Sequence, residues 1–208
     1  MKKLINAPEA YVDEMLDGLT AANPSLVRDG AAGRVIRRAE PASGKVGIAA
    51  GGGSGHLPLF TGYVGKGLLD TCSIGNVFEG PNVDSCVDAI RLADGGRGVL
   101  CLYGNYGGDR MNFDMAGEIL EADGGVTRTV LGADDVASAQ PHEAHKRRGV
   151  AGIVYAYKAA GAAAERGDDL NEVARIATKA VAATRSIGVA LASCRVPTAA
   201  RPTFSVCL

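Results

Sequence analysis

Five short apolar runs, at residues 46–50, 72–77, 99–103, 126–131 and 187–191, restrict this chain more than any other feature. Each is broken off by glycine or a polar turn, and segments of helical spacing lie at 83–92, 111–122, 150–166 and 170–184. Runs this short and continuous suit strands buried on both faces. Strands alternating with helices predict an α/β fold, a mostly parallel sheet with helices on both faces. Ahead of this pattern, residues 6–22 predict a helix, with Asn6 as N-cap, Pro8 in the first turn and Tyr11, Val12, Met15, Leu16 and Leu19 along one side. The small, basic stretch containing Arg28, Arg34, Arg37 and Arg38 reads as irregular or edge structure. The last residues, Phe204 to Leu208, read as an apolar strand cut short, so a fragment is expected.

Composition narrows the partners. The 22 Lys and Arg residues nearly balance 23 Asp and Glu, so the basic excess needed for sequence-independent nucleic-acid binding is missing. No apolar stretch is long enough for a membrane span, and no apolar region follows the charged start as in a signal peptide. Five cysteines without CxxC spacing argue against a disulfide framework or a zinc site, with Cys72 and Cys101 filling the core. A cytoplasmic globular protein is expected. The 29 glycines cluster without a Gly-X-Y period, and the clusters fall after the apolar runs.

The first cluster is Gly51-Gly52-Gly53-Ser54-Gly55-His56. Glycines there allow a tight turn and close backbone approach to a ligand, and ligands of open α/β sheets sit beyond the carboxyl ends of the strands. A P-loop is excluded because Gly65-Lys66 is followed by Gly67 rather than Ser or Thr. A dinucleotide fingerprint and a nucleophile elbow around Ser54 both fail because His56 stands where each needs its last glycine. The second cluster, Gly104-Asn105-Tyr106-Gly107-Gly108-Asp109, brings a carboxylate to the start of a helix. Asp109 can serve as an N-cap, and His56 can be a solvated turn residue. Brought together, the imidazole and the carboxylate suit hydrogen bonding to hydroxyls and removal of a proton from one of them. Glu79, on a third loop, can touch the same pocket, but reads first as a solvent-facing turn carboxylate. His142 and His145 lack a nearby third ligand, and the Asp134-Asp135 turn lacks a phosphate loop, so no metal site is expected.

Several blocks, in order, resemble the substrate-binding K domain of dihydroxyacetone kinases. They include Gly51-Gly-Gly-Ser-Gly-His56-x-Pro58, Gly62-Tyr63-Val64-Gly65, Asn105-Tyr106-x-Gly108-Asp109-x-x-Asn112-Phe113, Arg147-Arg148-Gly149-Val150-Ala151 and Ser186-Ile187-Gly188-Val189-Ala190-Leu191. The resemblance runs from end to end and implies that residues 1–208 are the N-terminal lobe of a two-lobed K domain whose C-terminal part is missing. It implies phosphorylation of dihydroxyacetone or a similar short-chain ketose in glycerol metabolism, with ATP and Mg held on a separate L domain or subunit, and a homodimer. By the same resemblance Gly53 offers a backbone contact to substrate, while His56 and Asp109 hydrogen-bond its hydroxyls and assist proton transfer.

Three departures from the family pattern bear on function. The family's covalent histidine belongs to a His-Gly-Glu-Pro-Gly segment that this sequence does not contain, so turnover by this chain alone is not expected. A pocket lysine common before Asn-Tyr is Gly104 here, which removes a cation and leaves volume, suiting a four-carbon ketose such as erythrulose. The glutamate often following the motif histidine is Leu57. A third reading is a non-catalytic, ketose-sensing coactivator that keeps the pocket.

Overall fold

The computed structural model describes residues 4–149 and 151–202. Six strands form one sheet in the order β1-β2-β4-β3-β5-β6. They are β1 (Leu26–Asp29), β2 (Val35–Arg38), β3 (Gly47–Gly53), β4 (Thr71–Gly75), β5 (Val99–Gly104) and β6 (Thr127–Gly132). β3 pairs in parallel with β4 and β5, and β5 with β6, whereas β1–β2 and β2–β4 are antiparallel. The α/β architecture expected from the apolar runs is therefore present, with an antiparallel pair added on one side.

Alternation along the strands builds two cores. Ile48, Ala50, Leu100 and Leu102 face α1 (Tyr11–Ala22), α4 (Ile153–Arg166) and α5 (Leu170–Ala183). Ala49, Val99, Cys101 and Tyr103 face α2 (Val83–Ala93) and α3 (Gly107–Ala122), with Tyr103 stacked on Phe113 at 4.3 Å. Cys72 and Cys101 are fully enclosed, and burial raises both thiols, Cys101 to about 12, as expected of core fillers. No described helix is long and apolar enough to cross a membrane.

Several boundaries differ from the sequence reading. The basic stretch is not irregular but supplies β1 and β2, the sheet edge. Two of its arginines pair with α1, Arg34 Nη2 2.9 Å from Asp13 Oδ2 and Arg28 Nη1 2.6 Å from Asp17, while Arg37 pairs with Asp29 and Arg38 with Asp70 and Glu165. Asn6 is not an N-cap: a 3-10 turn, Pro8–Ala10, leads into α1, and the Asn6 amide donates instead to Glu14 at 3.0 Å. β3 does not stop at Ala50 but continues through Gly53. A Cβ at Gly51 would lie 2.6 Å from the Ser73 carbonyl oxygen and one at Gly52 2.4 Å from the Phe60 ring, so these glycines serve close packing inside a strand.

Residues 187–191 form no strand. Pairing ends after the single bridge between Asp135 and Ser186, and Ile187, Val189 and Leu191 are 69%, 76% and 87% exposed. An apolar alternation becomes a strand only where a sheet edge continues beside it. The expected helix from 150 begins at Ile153, and Val150 itself, like the apolar ending at Phe204–Leu208, lies outside the described residues.

Candidate functional site

The three parallel-strand loops singled out in the sequence meet at the carboxyl edge of the sheet. After β3 the chain makes a 3-10 turn, Ser54–His56, anchored by the Ser54 and Gly55 amides on the Asn76 and Val77 carbonyls at 2.9 and 2.8 Å. After β5, a tight turn in which the Tyr106 amide donates to the Gly104 carbonyl at 2.8 Å leads into α3. The Asn105 side chain pins that turn by donating to the His145 and Arg147 carbonyls, at 3.0 and 2.8 Å.

His56 and Asp109 line the same two voids, with Tyr106 beside both. An outer cleft of about 340 Å³ is walled also by Gly53, Phe78, Glu79, Gly80 and Gly108. A tight inner void of about 10 Å³ reaches Gly51, Phe60, Gly104, Gly149 and Ile153. The His56 ring lies edge-on to Phe60 at 6.3 Å and tilted against Tyr106 at 6.0 Å. Burial lowers its pKa below the ordinary value, which keeps the imidazole neutral near pH 7.

Asp109 occupies the first turn of α3, whose N-cap position is Tyr106, so the carboxylate is not the cap. It is 8% exposed, and its Oδ1 finds no hydrogen-bond partner among the described residues. Burial pushes its pKa up to about 6. The carboxylate fits only because residue 80 has no side chain: a Cβ there would lie 2.2 Å from Asp109 Oδ1. A buried acceptor left without a donor is costly, and such groups concentrate where a ligand completes them.

Gly53 stands on the wall of the outer cleft and Gly104 on that of the inner void. The space expected at Gly104 is not open. A Cβ at 104 would meet Tyr106 Cε2 at 3.0 Å and the Gly149 carbonyl oxygen at 3.1 Å. The phenol ring lies where the volume was anticipated. Glu79 is exposed, as expected of a turn carboxylate, yet it also rims the cleft and accepts from the Asn76 amide at 2.8 Å. Sequence reasoning gave no role to Tyr106, Gly80 or Gly149. For Tyr106 a signal existed, since it is the one aromatic between Gly104 and Asp109 in a chain only 5% aromatic.

Other sequence candidates resolve into structure. Asp134 is buried and accepts from the Gly152 amide at 3.0 Å and from the Ser186 hydroxyl, tying the segment after α5 to the end of β6. His142 and His145 lie on an exposed 3-10 helix, Pro141–Lys146. Among the described residues no group of His, Cys, Asp and Glu could hold a metal ion. The Gly65-Lys66-Gly67 turn approaches Glu165 near the end of α4, with the Gly67 amide 3.4 Å from its carboxylate, so an acidic group rather than an anion site faces it. These residues do not fit a nucleotide phosphate cradle.

A parallel-strand sheet with a polar cleft at its carboxyl edge defines an α/β ligand-binding domain. The chain belongs to the Dak1 domain family, whose profile matches residues 17–207. It is 43% identical over 206 residues to the L-erythrulose 1-kinase of Mycolicibacterium smegmatis, covering 99% of this chain and 36% of that protein. It is also 43% identical to the dihydroxyacetone-binding subunit of the PEP-dependent dihydroxyacetone kinase of Escherichia coli, covering 99% of this chain and 58% of the subunit. The structure resembles that of the dihydroxyacetone kinase from C. freundii in complex with AMP-PNP and Mg2+, with a TM-score of 0.88 and 35% identity over 97% of this chain and 38% of that one. The chain thus spans less than two thirds of these relatives.

Proposed function

We propose that this chain is the substrate-binding part of a kinase that phosphorylates dihydroxyacetone or a similar short-chain ketose, and that residues 1–208 form the N-terminal lobe of its K domain. The observation that carries this reading is the shared cleft, in which a neutral imidazole and a carboxylate whose Oδ1 has no partner among the described residues line one ketose-sized space. The names of the relatives supply the substrate class and the reaction.

In this reading His56 hydrogen-bonds a ketose hydroxyl and orients it, while the Gly53 backbone borders the bound sugar. Asp109, ionised above about pH 6, accepts the proton of the hydroxyl whose oxygen attacks the phosphoryl group. Gly104 shapes the site indirectly, by leaving room for Tyr106. ATP and Mg belong on a separate L domain or subunit, consistent with the poor fit of this chain's own Gly65-Lys66 turn to phosphate. A cytoplasmic homodimer accompanies the reading. The erythrulose alternative draws on the 43% identity to an erythrulose kinase rather than on any space at Gly104.

The test is ligand-observed NMR of the chain with dihydroxyacetone and with erythrulose, followed by a phosphorylation assay on the full-length protein with its phosphoryl-donor partner. Ketose binding that His56→Asn weakens, with phosphorylation in the assembled system and none by the chain alone, supports the proposal. Absence of binding by either sugar at millimolar concentration overturns it. Binding with no phosphorylation in the assembled system replaces it with a sensor.

A further inference from the structure

Tyr106, with His56 and Asp109, stands between the outer cleft and the inner void, since all three bound both. Its ring is held from several directions. Gly104 lies under one edge, so close that a Cβ there would come within 3.0 Å of Cε2. The Arg148 guanidinium carbon is 5.8 Å from the ring centroid, within the range of a cation–π contact, and the His56 ring is 6.0 Å away on the cleft side. The backbone is fixed as well, because the Tyr106 carbonyl accepts the Arg110 amide at 2.9 Å at the start of α3. What lies behind the ring is small and mainly apolar: Leu59, Phe60, Ile153 and backbone of Gly51, Gly104 and Gly149 around about 10 Å³.

We propose that Tyr106 is the specificity-determining residue that limits how long a ketose this site accepts, by closing the cleft between His56 and Gly104. The inference rests on the ketose reading above. Glycine at 104 is then what allows the limit: it leaves the ring edge the room a side chain would take. The ring acts through its bulk, so the hydroxyl is dispensable. The fourth carbon of a tetrulose, or the fifth of a pentulose, is disfavoured on the inner side, where the phenol fills the space, and is left to the outer cleft. Discrimination of one chain carbon by packing alone is worth roughly 10-fold or more.

The experiment is a titration of the chain by saturation-transfer NMR with dihydroxyacetone, erythrulose and ribulose, comparing wild type with Tyr106→Ala, Tyr106→Leu and Tyr106→Phe. Tyr106→Ala should improve the affinity for the longer sugars relative to dihydroxyacetone by about 10-fold, Tyr106→Leu should shift the ratio in the same direction by less, and Tyr106→Phe should leave it unchanged. Circular dichroism and thermal melts accompany each variant, and if Tyr106→Ala fails to fold, the Tyr106→Leu ratio decides. Folded variants with an unshifted ratio overturn the inference while wild-type binding keeps the ketose reading. A shift in Tyr106→Phe equal to that of the truncations overturns it too, by assigning selection to the hydroxyl. If wild type binds none of the sugars, the ketose reading falls and takes this inference with it.

Discussion

At the amino ends of the parallel strands Asp70 is 3% exposed and every side of its carboxylate is answered: Lys45 Nζ at 2.7 Å, Arg38 Nη1 at 2.7 Å and the Ile48 amide at 3.0 Å. Glu165 joins from α4, 3.1 Å from Arg38 and 3.6 Å from Lys45. Against the desolvation that would raise it, Lys45, the Gly67 amide and Arg38 hold the Glu165 carboxyl below its usual value. At the carboxyl ends Asp109 is nearly as buried, at 8%, yet its Oδ1 has no partner among the described residues and its pKa moves the other way, up to about 6. The same sheet therefore buries one carboxylate inside a closed ionic clasp and another in a notch beside a cleft. The first arrangement fastens β2, β3, β4 and α4 together. The second stores an unmet acceptor where a hydroxyl can reach it, which is how functional sites differ from structural ones.

The comparison can be broken by substitution at either end. The largest expected effect is catalytic: in the full-length enzyme with its donor partner, Asp109→Asn should lower kcat by about 10²–10⁴, the usual contribution of a positioned base. Steady-state kinetics checks it, and near-normal kcat would leave Asp109 without a chemical role. Next is Asp70→Ala, which removes the buried partner of Lys45 and Arg38 and leaves them only Glu165, and should cost about 3 kcal/mol, read as a lowered urea midpoint; Asp109→Asn should show no comparable loss. The rate should also decline as pH falls through about 6, because protonated Asp109 cannot accept a proton, and Asp109→Asn should abolish that limb of the profile. The smallest effect concerns Tyr157, enclosed in the core beneath the site with its hydroxyl unpartnered among the described residues. Tyr157→Phe removes that desolvated hydroxyl and should raise stability by roughly 1 kcal/mol in chemical denaturation.

Much of this contrast was legible in sequence, but unevenly. The strands at 46–50 and 99–103 announce themselves because burial on both faces demands unbroken apolar runs, whereas 126–131 becomes the edge strand β6, with Arg128 and Thr129 exposed. β1 and β2 were masked by Arg28, Arg34, Arg37 and Arg38, whose charges are met by Asp13, Asp17, Asp29, Asp70 and Glu165 only once the chain is folded. Residues 187–191 carry the same local pattern as a strand and still form none, since no sheet edge runs beside them. At the site, the loops bearing His56 and Asp109 could be found because glycine clusters follow strands. The filling of the space at Gly104 could not, because it depends on where the Tyr106 ring lies beside Arg148 and on the Gly149 carbonyl, which comes near residue 104 only in the folded chain. Nor could the state of Asp109, whose burial comes from a loop around Gly80 that is distant in sequence. The Lys45–Asp70 clasp escaped notice for the same reason: nothing in either residue's neighbourhood marks its partner.

The most direct test of the central claim compares the stability of wild type and Asp109→Asn by urea denaturation across pH 4 to 8. A carboxyl whose folded pKa of about 6 stands above the ordinary 3.8 binds its proton more tightly in the folded chain, so stability is lost as pH rises through that window. Asparagine does not titrate, so the variant should gain on wild type as pH rises, by on the order of 2 kcal/mol at pH 8 relative to pH 4. A constant difference between the two proteins over this range, or a wild type that gains on the variant as pH rises, would show that Asp109 is as well satisfied as Asp70 and would contradict the account.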